Sequence, residues 1–396
     1  MDKIVIEGGN RLVGEVEISG AKNAALPLMA ASLLTEGTIR LTNVPRLRDI
    51  ETFLTLLRAM GVKCETKDNG RVVELEAVGE IEPTAQYELV KTMRASILVL
   101  GPLLARFKSA KVSLPGGCAI GARPINLHLV GLEKMGANIK IEHGYVLVSA
   151  EKLKGAKIYL DAPTVTGTEN LMLAAVFADG VTVLENAAME PEVVCLADML
   201  NMMGANITGA GTDTIRIEGI DEARGLKGVE FEVIPDRIEA GTFMVASAMT
   251  KGNVLLKNCP IEYLETLSLK LRECGTDILK EEDGVRVIGD FPIRSVDIRT
   301  HAYPGFPTDM QAQMMSMMSI ASGLSVIVET VFENRFMHIG ELKRMGADIT
   351  VDGRSAIVKG VNHLSGARLM ATDLRASASL ILAGLVADGW TSVSRI

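Results

Sequence analysis

Five times in this 396-residue chain a leucine is followed by three residues and a glycine at a nearly fixed interval. LRAMG ends at Gly61, LEKMG at Gly136, LNMMG at Gly204, LRECG at Gly275 and LKRMG at Gly346, in steps of 75, 68, 71 and 71. A second signal, a glycine ahead of a strand-like run, recurs at Gly37, Gly180, Gly252, Gly323 and Gly389, with Ser109 filling the gap. Together they mark six copies of one module. The period exceeds the roughly 20 to 50 residues of common solenoids, so a closed, pseudo-symmetric arrangement is expected rather than an open rod.

Each module reads as strand, turn, apolar helix, strand, loop, amphipathic helix ending in the leucine-glycine signal, and strand. The glycine suits a helix C-terminus, where a left-handed residue is needed. The apolar helices are the unusual part. ALPLMAASLL, LMLAAVFA, TFMVASAM, MQAQMMSMMSIA and SASLILAGLVA have no polar face, and such helices must be buried all round. The 20 methionines and 4% aromatic content fit closely packed internal helices. The expected fold is α/β: two domains of three modules each, residues 22–230 and residues 1–21 plus 231–396, with a ligand cleft between them.

Composition narrows the function. A net charge of −8 with no basic run argues against nucleic acid or an anionic membrane as partner. The five cysteines form no C-x-x-C pair and the five histidines are scattered, so neither a disulfide framework nor a metal site is expected. MDKIVIEGG lacks the pattern of a signal peptide and no apolar run approaches about 18 residues, which predicts a cytoplasmic protein. No oligomeric state follows from the sequence.

Polar residues gather where each module's first strand meets its apolar helix: Lys22 and Asn23, Arg94, Thr164 and Thr166, Asp236 and Arg237, Thr308 and Asp309, Asp373 and Arg375. Asp or Thr there is also an ordinary helix cap, and Asp236 with Glu239 resembles a capping box. The cations are harder to explain that way. A lysine or arginine at a helix N-terminus opposes the dipole unless an anion joins it, so Lys22, Arg94 and Arg375 point to a polyanionic ligand. Arg335, in ETVFENRFMH, reads equally as solvated surface or as a ligand contact.

One thiol stands apart. Cys118 lies in SLPGGCAIGARPINLH, after a Gly116–Gly117 hinge and near Arg123, whose charge favours thiolate. A mobile activated cysteine suits acid or nucleophile work, although a free cysteine is also an ordinary small core residue. Two nearby matches are decoys. Gly116 to Gly121 has P-loop glycine spacing but is followed by Ala122 and Arg123. Ser19 to Lys22 matches S-x-x-K without its companion motifs.

SGAKNAALPLMAA, KTMRASI, LPGGCAIGARPINLH, FPTDMQAQ, ETVFENRFMH and ATDLRASASL together resemble the UDP-N-acetylglucosamine 1-carboxyvinyltransferase family of enolpyruvyl transferases, across essentially the whole chain. The resemblance implies a pair of inside-out α/β barrels of three modules each. It also implies transfer of the enolpyruvyl group of phosphoenolpyruvate to the 3-hydroxyl of UDP-N-acetylglucosamine, with release of phosphate and no metal or organic cofactor. Lys22, Asn23, Arg123, Arg335 and Arg375 would then hold phosphoenolpyruvate. Arg94, Arg123, Pro124, Ile125, Asn126, Leu127, Thr164, Val165, Asp309 and Val331 would contact the UDP-sugar. Asp309 is the implied base for the sugar hydroxyl, Cys118 the acid that protonates the methylene carbon, and Lys22 and Arg375 complete the catalytic set.

The sixth module stops at Ile396, whereas its leucine-glycine signal is due near 417 by the repeat step, so that repeat is expected to be incomplete. Two other readings are a 3-phosphoshikimate 1-carboxyvinyltransferase, which the Cys118 loop and ARPINLH disfavour, and a non-catalytic paralogue that binds UDP-sugar and regulates a partner.

Overall fold

A computed structural model describes residues 2–91, 93–114, 125–290 and 292–395. The chain divides into two compact units. One holds residues 19–114 and 125–234, the other residues 2–18 and 235–395.

All five leucine-signal glycines take the left-handed backbone. Gly204 and Gly275 cap their helices at φ 109° and 103°, and Gly61, Gly136 and Gly346 follow theirs at φ 91° to 100°. A side chain is strained in that region, which is why glycine recurs there. The helices that end in these glycines are one-sided. Arg48–Ala59 buries Ile50, Phe53, Leu54, Leu56 and Leu57, and carries Asp49 and Glu51 in its first turn and Arg58 in its last, matching its dipole.

The apolar helices are buried along most of their length. All eight residues of Gln311–Met318 are buried, as are nine of the eleven in Val165–Ala175 and seven of the nine in Lys22–Ala30. Each fully buried Leu or Met contributes about 1.5–3 kcal/mol. Hydroxyls in these helices bond to carbonyls. Ser316 donates to Ser379 O of the neighbouring helix at 2.9 Å and Ser247 to Val287 O at 2.8 Å. The helices can therefore be dry without orphaned hydroxyls at those positions.

The sheets differ from the expected module in one respect: the amphipathic helix is followed by two strands, not one. Among the described residues five sheets have four strands and one has three. Within a four-stranded sheet the first pair is parallel and the other two antiparallel, as in Lys157–Tyr159, Val181–Glu185, Thr214–Glu218 and Asn206–Thr208. Where the parallel strands are consecutive, as in Lys157–Tyr159 and Val181–Glu185, the buried helix between them supplies the crossover, and the hairpin adds two strands to each four-stranded sheet. In the first unit Val229–Glu232, from the end of its third module, pairs parallel with Ile39–Thr42 of its first. In the second unit Val13–Glu17 pairs with Asn253–Lys257, and Lys3–Glu7 with Trp390–Ser394. The N-terminal residues thus complete sheets of the second unit. Each unit has its own hydrophobic core.

Candidate active site

In the second unit three predicted residues from two modules meet at one carboxylate. Asp309 sits in the 3-10 turn Thr308–Met310, Arg335 in the loop before the helix Ile339–Arg344, and Arg375 in the first turn of Leu374–Val386. Arg335 Nη2 donates to Asp309 Oδ1 at 2.7 Å. Arg375 donates to Asp309 Oδ2 from Nε at 3.1 Å and from Nη2 at 2.9 Å. The Arg335 side chain is 3% exposed, that of Arg375 18% and that of Asp309 27%. Two largely desolvated guanidiniums facing one carboxylate leave a net positive charge at the site.

Burial alone would raise the Asp309 pKa, but the charges of Arg375 and Arg335 outweigh it and hold the carboxyl well below the usual carboxylate range. Burial also opposes the charge on Arg375, yet Asp309 and then Asp236 more than restore it. The hydrogen bonds separate the acids that cap a helix from the one that does not. Asp373 accepts from Arg375 N and Ala376 N, and Asp236 from Ile238 N and Glu239 N, so both are helix caps. Asp309 instead turns both its oxygens to arginines. Arg335 lies in the buried cluster and is not solvated surface, and its guanidinium stacks 5.2 Å from the Phe332 ring.

The loop is held by a residue that the sequence reading missed. Glu329, 1% exposed, accepts from Thr300 Oγ1 at 2.9 Å, from Val331 N at 2.8 Å and from Phe332 N at 3.2 Å through Oε1. Its Oε2 accepts from Thr308 Oγ1 at 2.8 Å. One buried carboxylate therefore fixes both the turn carrying Asp309 and the loop carrying Val331 and Arg335. Its position as the first residue of ETVFENRFMH, at the end of a strand, was the available signal.

Most of the remaining predicted residues that the structure describes belong to the first unit. Lys22 opens the helix Lys22–Ala30, whose N-cap Ala21 offers no side-chain hydrogen bond, and its Nζ donates to Asp49 Oδ2 at 2.7 Å. Asn23 beside it is exposed. Arg94 begins the 3-10 helix Arg94–Val99 and is half-buried. Ile125 and Leu127 are partly buried against the core, while Asn126, the first residue of Asn126–Lys134, is exposed. Thr164 caps Val165–Ala175 by accepting from Gly167 N at 3.3 Å, and Val165 is that helix's first residue. Cys118, Arg123 and Pro124 lie outside the described residues.

The other four cysteines are poor thiolates. Burial pushes Cys64 up to about 11 and Cys195, Cys259 and Cys274 up to about 12. Among the described residues no group of three or more His, Cys, Asp or Glu could hold a metal ion, and no helix is long and apolar enough to cross a membrane.

Comparison with known proteins identifies the family. The family model of EPSP synthase (3-phosphoshikimate 1-carboxyvinyltransferase) matches residues 6–396. The chain is 59% identical over its whole length to the UDP-N-acetylglucosamine 1-carboxyvinyltransferase of Desulfatibacillum aliphaticivorans, covering 94% of that protein. It is 58% identical, with the same coverage, to the enzyme of that name from Geobacter metallireducens. The crystal structure of the enolpyruvyl transferase NikO from Streptomyces tendae superposes with a TM-score of 0.89 at 25% identity, over 99% of this chain and 92% of that one. EPSP synthase from Acinetobacter baumannii, at 21% identity and a TM-score of 0.75 over 99% and 93%, shares the fold. The family model spans the fold, while the full-length relatives at 56–59% identity separate its branches. This chain belongs to the enolpyruvyl transferase family, among the UDP-N-acetylglucosamine 1-carboxyvinyltransferases.

Proposed function

We propose that this chain transfers the enolpyruvyl group of phosphoenolpyruvate to the 3-hydroxyl of UDP-N-acetylglucosamine and releases phosphate. The observation that carries the mechanistic reading is the Asp309 carboxylate held between Arg335 and Arg375. A carboxylate so strongly stabilised is a weak base. Phosphoenolpyruvate brings its own carboxylate and phosphate to the arginines, and as they turn to it Asp309 loses the field that depresses its pKa. Substrate binding thus converts a structural counter-ion into a base when the sugar hydroxyl arrives.

In the addition step the sugar oxygen forms a bond to C2 of phosphoenolpyruvate, its proton passes to Asp309, and Cys118 protonates the methylene carbon. In the elimination step a proton leaves the new methyl group, the enol double bond reforms and phosphate departs. Each acid or base contributes about 10²–10⁴-fold. Lys22, Asn23 and Arg123 join Arg335 and Arg375 around phosphoenolpyruvate, and fixed cations stabilise charge as it shifts to the departing phosphate. Arg94, the 123–127 segment, Thr164, Val165 and Val331 hold the UDP-sugar. The high pKa values of the four described cysteines support Cys118 as the thiol that works. An epoxide analogue of phosphoenolpyruvate such as fosfomycin then alkylates it. We place the reaction in the cytoplasm, at the first committed step of peptidoglycan synthesis, and so in the supply of wall for growth and division.

The test is a mass spectrum of the product. The chain with phosphoenolpyruvate and UDP-N-acetylglucosamine should yield the enolpyruvyl ether of the sugar nucleotide. A product formed from 3-phosphoshikimate instead, or none from either acceptor, overturns the reading.

A further inference from the structure

The leucine-signal glycines give all modules a common register, and the slot eight residues before them shows a break in it. That slot holds Phe53, Leu196 and Leu267 in three modules and His128 and His338 in the other two. All five side chains are buried, at 0 to 3% exposure. The slot takes a hydrocarbon wherever packing is all it must supply, so a histidine in the middle module of each unit calls for a second reason.

For His128 the reason is readable from its hydrogen bonds. Gly101 N donates to Asn170 Oδ1 at 2.6 Å, which fixes the amide so that Nδ2 is the donor end. Nδ2 then donates to Ile97 O and to His128 Nδ1, both at 3.0 Å. Because Nδ1 accepts, the proton of the neutral ring is on Nε2, which faces Thr166 Oγ1 at 3.4 Å. Burial, and then Arg94, push His128 down to about 4, so the ring is neutral at physiological pH. Thr166 Oγ1 therefore accepts from the ring and has its own proton left to give away from it. Two glycines make the arrangement compact. A Cβ at Gly101 would lie 2.2 Å from Asn170 O, and one at Gly131 2.5 Å from Leu171 Cδ2. The chain of bonds joins the Arg94–Val99 turn, the Asn126–Lys134 helix and the first turn of Val165–Ala175, three segments assigned above to the sugar nucleotide.

We propose that Asn170 and His128 are positioning residues that set Thr166 as a hydrogen-bond donor to an acceptor oxygen of the UDP-sugar. This rests on the functional reading above.

The experiment measures steady-state kinetics, sugar-nucleotide binding by calorimetry and thermal unfolding on Thr166→Val, Thr166→Ser, His128→Leu and the His128→Leu/Thr166→Val double variant. Loss of one donor to a charged or polar ligand oxygen is expected to raise KM and Kd for UDP-N-acetylglucosamine about tenfold in Thr166→Val. The phosphoenolpyruvate KM should move less than about twofold, and Thr166→Ser should restore wild-type values to within about twofold. His128→Leu, which places in the slot the residue other modules carry, should weaken sugar-nucleotide binding in the wild-type background and add little once Thr166 is valine. Unchanged sugar-nucleotide affinity in Thr166→Val overturns the proposal. So does a His128→Leu penalty that is equal in both backgrounds or falls equally on both substrates, which is the mark of a purely structural residue. If His128→Leu does not fold, the Thr166 pair alone decides. A wild-type chain that neither turns over nor binds the UDP-sugar refutes the functional reading itself, an outcome distinct from a wild-type enzyme indifferent to Thr166.

Discussion

The two units use the same module for opposite electrostatic ends. In the unit of residues 2–18 and 235–395, the helix starts gather charge: Arg335 and Arg375 converge on Asp309, and Glu329 braces the loops that carry them. In the unit of residues 19–114 and 125–234, the corresponding helices are tied by a neutral network of Asn170, His128 and Thr166, and the ion pair of Lys22 with Asp49 is more exposed. A charged cluster suits a charged ligand, whereas a neutral network gives fixed hydrogen-bond direction without a desolvation penalty for ions. One repeat thus carries a charged cluster in one unit and a neutral hydrogen-bond network in the other.

The sharpest way to break that comparison is to remove the central carboxylate. Asp309→Ala leaves two arginines facing each other, one of them almost fully buried, and should cost about 3–5 kcal/mol in urea unfolding. A loss under about 1 kcal/mol would mean that water, not Asp309, balances them.

Acid should act on both halves through their histidines. His128 and His338 are each pushed from 6.5 down to about 4, in both cases chiefly by burial. Arg94 adds to the lowering at His128 and Arg335 at His338, where Asp373 and the Arg335 carbonyl pull the other way. Between those pH values the unfolded chain binds the protons and the folded chain does not. Stability is therefore full above about pH 6.5 and falls as pH drops toward 4, by on the order of 3 kcal/mol for each histidine. His128→Leu and His338→Leu should each flatten that slope, and unfolding curves with an unaltered pH dependence would contradict the neutral-ring assignment.

Glu329→Gln is a smaller perturbation. It keeps the shape but removes the charge that four donors share, and should cost about 1.5–3 kcal/mol, with a lower kcat as the Asp309 turn loosens. Smallest of all is Asp49→Ala. The pair with Lys22 is partly exposed and should contribute less than about 1 kcal/mol, so a larger loss would give that unit a charge centre of its own.

The modules were readable in the sequence because a left-handed glycine and a helix without a polar face leave marks that any repeat must copy. The fourth strand of the four-stranded sheets was not, since a short hairpin after an amphipathic helix reads as a single strand until its partner is seen. Asp309, Arg335 and Arg375 could each be nominated from their motifs. Their meeting could not, because they lie 26 and 66 residues apart and only the closing of modules brings them together. Glu329, His128 and Asn170 escaped for a different reason. A polar residue in or beside an apolar run carries no mark of its own, and only its hydrogen bonds, or for the histidines the register against Gly136 and Gly346, give it a purpose.

Phosphate release by the wild-type chain and by Asp309→Asn, with phosphoenolpyruvate in the presence and absence of UDP-N-acetylglucosamine, is the most direct measurement. The wild-type chain should release phosphate only when both substrates are present, and a folded Asp309→Asn should be about 10²–10⁴-fold slower. Release without the sugar nucleotide, or undiminished turnover by Asp309→Asn, would contradict the assignment of the reaction to this carboxylate and its two arginines.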